Sequence, residues 1–286
     1  MIHPFHGVPG VLDMFIWPAF QSDSRANRLK AYEVGTSMTT TAPQQWVDLC
    51  GPEEAATQVE LAFASHVKQV EVPEDRRSDW SHRFLLPQGI PGQLIPLLKI
   101  LEKYFTLTKV AHLDFAMAFN WYKIPQDGVE PSKWRNSTAG ELVHRSKYYR
   151  NNPSAQRDAL NKLIDGTAQI IEKHPLLAAS PTVVTVPGSA GDGRSVGEKY
   201  AAGVAARTGK SLVSTICTTG ARKPAKEAGS AHLEGTFFID VHLDGSVIVI
   251  DDVCRTGGTF RATALAARQA GATSVFGLAA VRTLRN

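Results

Sequence analysis

Cysteine is scarce and scattered: Cys50, Cys217 and Cys254 form no C-x-x-C pair. Neither a disulfide framework nor a zinc ribbon is expected, and a reducing, cytoplasmic setting fits best. No stretch of about 18 apolar residues exists, which argues against a membrane-spanning helix. Residues 1–10 lack a basic segment leading into an apolar run, so no secretory leader is expected there. There is no internal repeat and no low-complexity tract. Also missing are the G-x-G-x-x-G dinucleotide fingerprint and a convincing nucleophile–base triad, and the glycine turn at residues 256–259 is no Walker A loop, because no Gly-Lys-Ser/Thr follows it.

What is present is an ordinary globular composition: 286 residues, 43% hydrophobic and 20% charged. That length suits two domains and buries a core without staples. The net charge of +4 is unevenly spread. Residues 1–140 hold 13 Lys+Arg against 15 Asp+Glu, and residues 141–286 hold 18 against 12. A basic second half suits an anionic ligand, either a phosphorylated small molecule or nucleic acid.

The first half reads as a mixed α+β region. Residues 52–70 are expected to be helical, with Glu53 and Glu54 in the first turn, where the helix dipole favours acids. Leu94, Leu97, Leu98, Leu101 and Phe105 recur at helical spacing. Residues 123–136, with Pro125, Gly128 and Pro131, read as a linker. The boundary is therefore expected between 1–137, of unassigned function, and 138–286. In the second half helices over 154–173, 195–208 and 259–269 alternate with strand-like runs at 181–187, 211–216, 236–241, 246–250 and 274–281. This rhythm predicts an α/β layer with a mostly parallel sheet flanked by helices. Asp244-Gly245 suggests a tight hairpin adding one antiparallel pair.

The segment that carries chemistry is Val247-Ile-Val-Ile-Asp251-Asp252-Val-Cys-Arg255-Thr256-Gly257-Gly258-Thr259. A buried strand delivers two acids to its carboxyl end, where open α/β sheets bind ligands. The glycines let successive N–H groups converge on an anion, and a helix N-terminus follows. Acids beside a phosphate cradle suit a sugar phosphate: carboxylates accept from hydroxyls while the loop holds the phosphate. Adjacent side chains on a strand diverge, so one acid would serve the sugar and the other a metal or the scaffold.

Residues 248–259 closely resemble the 5-phosphoribosyl-1-pyrophosphate (PRPP) signature of type I phosphoribosyltransferases. The surroundings are most similar to the competence-protein ComF branch. Glu141-Leu-Val-His144-Arg-Ser-Lys147-Tyr148-Tyr-Arg-Asn151 resembles its stretch before the sheet, and Thr185-Val186-Pro187-Gly188-Ser189 its first loop. The resemblance covers about 140–284. It implies that Asp251 and Asp252 hold the ribose hydroxyls and that Thr256, Gly257, Gly258 and Thr259 cradle the 5-phosphate. Arg255 would add a cation beside the phosphate. Gly188, Ser189 and Ala190 would approach the pyrophosphate, with Arg194 as a cationic contact.

By the same resemblance, residues 218–234 occupy the place of a hood over the site, where Arg222 and Lys223 would meet the leaving pyrophosphate and act with the acid pair in catalysis. Mg²⁺ would ride on the pyrophosphate and sugar oxygens rather than on a protein ligand set. A nucleobase or related nitrogen acceptor would displace pyrophosphate from the ribose, and a homodimer is common in that superfamily. The cysteine-rich zinc module with which ComF proteins often begin has no counterpart. Base-recognition residues have none either, which keeps open a non-catalytic PRPP-fold binding protein, regulatory or linked to DNA uptake.

Other candidates read as structural. His3-x-x-His6 and His112-x-Asp114 each lack a third metal ligand. Trp121, Tyr122, Trp134, Tyr148 and Tyr149, interleaved with cations, are expected to pack in core and linker rather than stack on bases. Cys254 is expected to be a packed or semi-exposed thiol.

Overall fold

The structure, a computed structural model, describes residues 26–38, 43–222 and 233–284. The first half supplies strands β1 (Ala26–Asn27), β2 (Ala31–Met38), β3 (Pro43–Cys50), β4 (Lys68–Val70), β5 (His82–Leu86), β6 (Phe105–Leu107) and β7 (Phe115–Trp121), with helices α1 (Glu53–Phe63) and α2 (Leu94–Lys103). The second half supplies helices α3 (Thr138–Tyr148), α4 (Pro153–Lys173), α5 (Pro175–Ala179), α6 (Val196–Thr208) and α7 (Gly258–Gln269). Its strands are β8 (Thr182–Thr185), β9 (Ser211–Val213), β10 (Ile216–Cys217), β11 (Phe237–Phe238), β12 (Ser246–Cys254) and β13 (Ser274–Arg282).

The apolar runs without alternation become the middle of a seven-stranded sheet, in the order β1-β6-β7-β13-β12-β8-β9. The strands from β7 to β9 are parallel, and β1 and β6 run antiparallel. Continuous hydrophobicity is what a sheet covered on both faces requires. Ile248, Ile250, Phe276 and Leu278 point into one core, and Val247, Val249, Val275 and Ala279 into the other. Each of these side chains larger than alanine contributes about 1.5–3 kcal/mol by leaving water.

The main sheet crosses the expected boundary near residue 137. Strand β7, from the first half, lies parallel to β13, with Phe115 opposite Phe276 and Met117 opposite Leu278. A separate antiparallel sheet, β2-β3-β5-β4, buries Val47, Leu49, Phe84 and Leu86 in the same core as Ile248 and Ile250. On its other face Asp48, fully buried, accepts from Arg83 Nε and Nη2 (2.5 and 2.7 Å), and Arg76 Nε lies 2.9 Å away as an ion pair. Both guanidinium groups lie over the Trp46 ring.

Three local expectations are corrected. The helix expected over 52–70 stops at Phe63, and residues 68–70 pair with β5 instead. Residues 123–136 are no linker: Lys123 and Asn136 form a β-bridge, and Trp134 Nε1 donates to the Gln126 and Val129 carbonyls, closing the segment on itself. Asp244-Gly245 makes no hairpin. Leu243 N–H donates to Ala270 O at 2.8 Å, which ties the chain before β12 to the end of α7. Both neighbours of β12 are parallel.

Asp114 accepts from Val275 N–H and from Arg268, both at 2.7 Å, which makes it structural. His3 and His6 lie outside the described residues. Among the described residues no helix is long and apolar enough to cross a membrane, and no three His, Cys, Asp or Glu side chains cluster as metal ligands would.

Candidate functional site

Strand β12 runs four residues beyond its apolar stretch, so Asp251 and Asp252 stand on the strand itself, at its carboxyl end. Their side chains diverge. Asp251, half-buried, accepts from Asp252 N–H at 2.8 Å and from Thr259 Oγ1 at 3.4 Å, toward α7. Asp252, 6% exposed, points toward α3, where Lys147 Nζ lies 2.8 Å from its Oδ1. Between the two stands Gly197 in the first turn of α6, where a Cβ would sit 3.1 Å from Asp251 Oδ1. Glycine there brings bare backbone up to both carboxylates.

Electrostatics follow from this crowding. Burial, and then the Asp252 carboxylate beside it, raise the Asp251 pKa to about 7. Burial opposes the charge on Lys147, but the attraction and hydrogen bond of Asp252 outweigh it and leave its pKa raised. Lys147 is held there by its helix. Ser137 caps α3, accepting from Gly140 N–H at 2.9 Å and donating to Trp121 O at 2.6 Å, which fastens α3 to the end of β7. Gly140 packs directly on the Tyr122 carbonyl and leaves no room for a side chain.

After the acids the chain turns through Cys254–Gly257 into α7. Gly257 has φ +79°, a left-handed conformation that glycine adopts without strain, and α7 begins at the next residue. Behind the turn, Arg282 donates to the Arg255 carbonyl and lies 3.2 Å from Cys254 Sγ. Cys254 is 2% exposed, and burial pushes its thiol pKa up, as expected of a packed thiol.

Facing the turn is the loop after β8. The Gly188 Cα comes so close to the start of α6 that a Cβ would lie 2.6 Å from that of Ser195. Ser195 and Glu198 close α6 with a reciprocal capping box. Between these walls lies a cleft of about 810 Å³.

Of the residues singled out from the sequence, Gly188, Ser189, Arg222, Asp251, Asp252, Arg255, Thr256, Gly257, Gly258 and Thr259 line this cleft. Ala190 and Arg194 are exposed and do not; Gly191 and Gly193, both at positive φ, turn that segment outward. Arg222 is tied to the first loop. Its backbone N–H donates to Ser189 O and its guanidinium to Pro187 O, each at 2.8 Å, while the cation lies over Phe237. Lys223 lies outside the described residues. Strands β10 and β11 pair antiparallel, with Ile216 opposite Phe238 and Cys217 opposite Phe237.

Among the cleft residues not expected as site residues are Lys147, Tyr148 and Gly197. Tyr148 and Tyr149, expected to pack, are 61% and 38% exposed. The signal for Lys147 is its phase: it falls one turn after buried Val143 and beside buried Ser146, on the inward stripe of α3.

No family model and no curated protein matches this chain. Among solved structures, adenine phosphoribosyltransferase from Leishmania tarentolae aligns with 59% of this chain and 78% of its own, at 15% identity and a TM-score of 0.37. Orotate phosphoribosyltransferase from Aeropyrum pernix aligns over 56% and 76%, at 22% identity and a TM-score of 0.32.

Proposed function

We propose that the cleft binds PRPP and that the chain is a phosphoribosyltransferase, passing the phosphoribosyl group to a nitrogen acceptor of nucleobase type with release of pyrophosphate. The observation that carries this reading is the order of groups along one wall: two acids ending β12, a glycine turn, and the start of α7, opposite the bare backbone of Gly188. Asp251 and Asp252 accept from the ribose hydroxyls, and the N–H groups and hydroxyls of residues 256–259 hold the 5-phosphate.

In transfer, the acceptor nitrogen forms a bond to C1 of the ribose as the C1–O bond to pyrophosphate breaks, and the electron pair leaves with pyrophosphate. Arg222, anchored to the first loop, stands at the pyrophosphate side and stabilises the charge that develops there. The carboxylate oxygens suit a hard cation, so Asp251, which has no lysine on it, is the residue to hold Mg²⁺ together with substrate oxygens, where the ion would neutralise the leaving group. The stretch similar to the ComF branch lies on α3 and the turn after it, and delivers Lys147, Tyr148 and Arg150 to the cleft. That supports the ComF branch within the superfamily.

Isothermal titration with PRPP and Mg²⁺, followed by pyrophosphate release across a panel of bases, tests the reading. Binding lost in Asp251→Asn/Asp252→Asn, with release for at least one base, is expected. Absence of PRPP binding in the native protein overturns it, and tight binding without release for any base leaves a binding protein instead.

A further inference from the structure

Behind the phosphate turn lies a second cavity, of about 190 Å³, that shares only Thr256 and Gly257 with the main cleft. Its walls are residues 107–111 from the β6–β7 connection, Cys254, and the side chains of Lys109, Arg261 and Arg282. Three cations therefore line it, and no carboxylate does. Glu234 pairs with Arg261, yet it is not part of the lining.

Arg282 is the telling residue. It ends the central strand β13 and is only 5% exposed. One terminal nitrogen is spent on Arg255 O and Cys254 Sγ, while its Nε is buried with no hydrogen-bond partner among the described residues. A guanidinium taken out of water without a counter-anion costs several kcal/mol, and its unused donor costs more. Planar donor geometry matches an oxyanion better than any other small ligand. The cavity is smaller than the roughly 300–1,000 Å³ of pockets for drug-sized ligands, a size that suits a small anion.

We propose that this cavity is a second anion site, built for a small oxyanion of the inorganic phosphate class, with Arg282, Arg261 and Lys109 as its ligands. Arg282 also grips the carbonyl of Arg255 in the phosphate turn. An anion on Arg282 therefore steadies that turn from behind, and occupancy of the two sites is coupled.

The experiment titrates inorganic phosphate calorimetrically into the full chain saturated with ribose 5-phosphate, which fills the main cleft. One equivalent of phosphate is expected to bind. Lys109→Glu is expected to weaken it at least about tenfold, because an attractive charge at the cavity becomes a repulsive one. Lys109 is exposed, so this variant folds even if Arg282→Gln does not. The proposal is overturned if ribose 5-phosphate abolishes phosphate binding, or if Lys109→Glu binds phosphate as the native protein does. If ribose 5-phosphate does not bind, the reading of the main cleft fails. The Lys109→Glu comparison, run in phosphate alone, still decides this one.

Discussion

Lys147 Nζ sits 2.8 Å from Asp252 Oδ1, and the two residues come from opposite ends of the second half of the chain. The ammonium occupies one of the oxygens that the acid pair would offer a sugar. Asp252 is 9% exposed at its side chain and Lys147 27%. Removing the cation therefore strands a buried carboxylate. Lys147→Met is expected to lower stability by about 3 kcal/mol in urea unfolding. Adding Asp252→Asn should recover more than half of that loss, since the double variant has no uncompensated charge. A double variant no more stable than Lys147→Met would show that the pair is not coupled.

Asp251 carries a pKa of about 7, against 3.8 for the free side chain, so the folded state holds its proton more tightly than the unfolded chain. The stability tied to that proton is complete below the unfolded value and is lost as pH rises through the folded one. Asn at this position has no proton to lose. Between about pH 5 and about pH 8 the native protein should therefore lose stability relative to Asp251→Asn, read as urea midpoints at both pH values. Parallel profiles would count against the burial of this carboxyl.

Gly197 separates fold from binding. It lies inside α6, where alanine is worth up to about 1 kcal/mol more than glycine. Yet its methyl would press on Asp251 Oδ1 from 3.1 Å. Gly197→Ala should melt no lower than the native protein while PRPP affinity falls about tenfold, because sub-ångström displacement of a positioned group is costly. Unchanged affinity in calorimetry would remove Gly197 from the site.

In the smaller sheet, Asp48 is fully buried between two arginines. Asp48→Ala leaves both cations facing Trp46 without a counter-charge, and should cost about 3–5 kcal/mol. Thermal unfolding measures it, and a fall of only a few tenths would mean that solvent reaches the pair.

The contiguous part of this site was readable. Residues 247–259 form strand, turn and helix by local rules, and Gly257 meets the backbone demand that its place in the motif implies. Lys147 was not, because its meeting with Asp252 depends on Ser137 fastening α3 to the end of β7, a contact between distant segments. Strand β7 was hidden for another reason. Phe115, Ala116, Met117 and Ala118 are all buried and carry no alternation, so periodicity cannot separate them from a helical segment. The Asp244-Gly245 pair misled because turn chemistry specifies a reversal, while the tie from Leu243 to Ala270 decides what lies alongside.

Strand β7 fills the place beside β13 that the second half cannot fill from its own sequence. A fragment cut near residue 137 would leave the row from Val275 to Val281 as an open, flat, apolar edge, able to template pairing with other copies. Such a fragment should self-associate even though it keeps every residue of the glycine turn after β12. The charge of the chain changes sign near residue 140, between β7 and its partner β13. That change does not mark where the molecule can be divided.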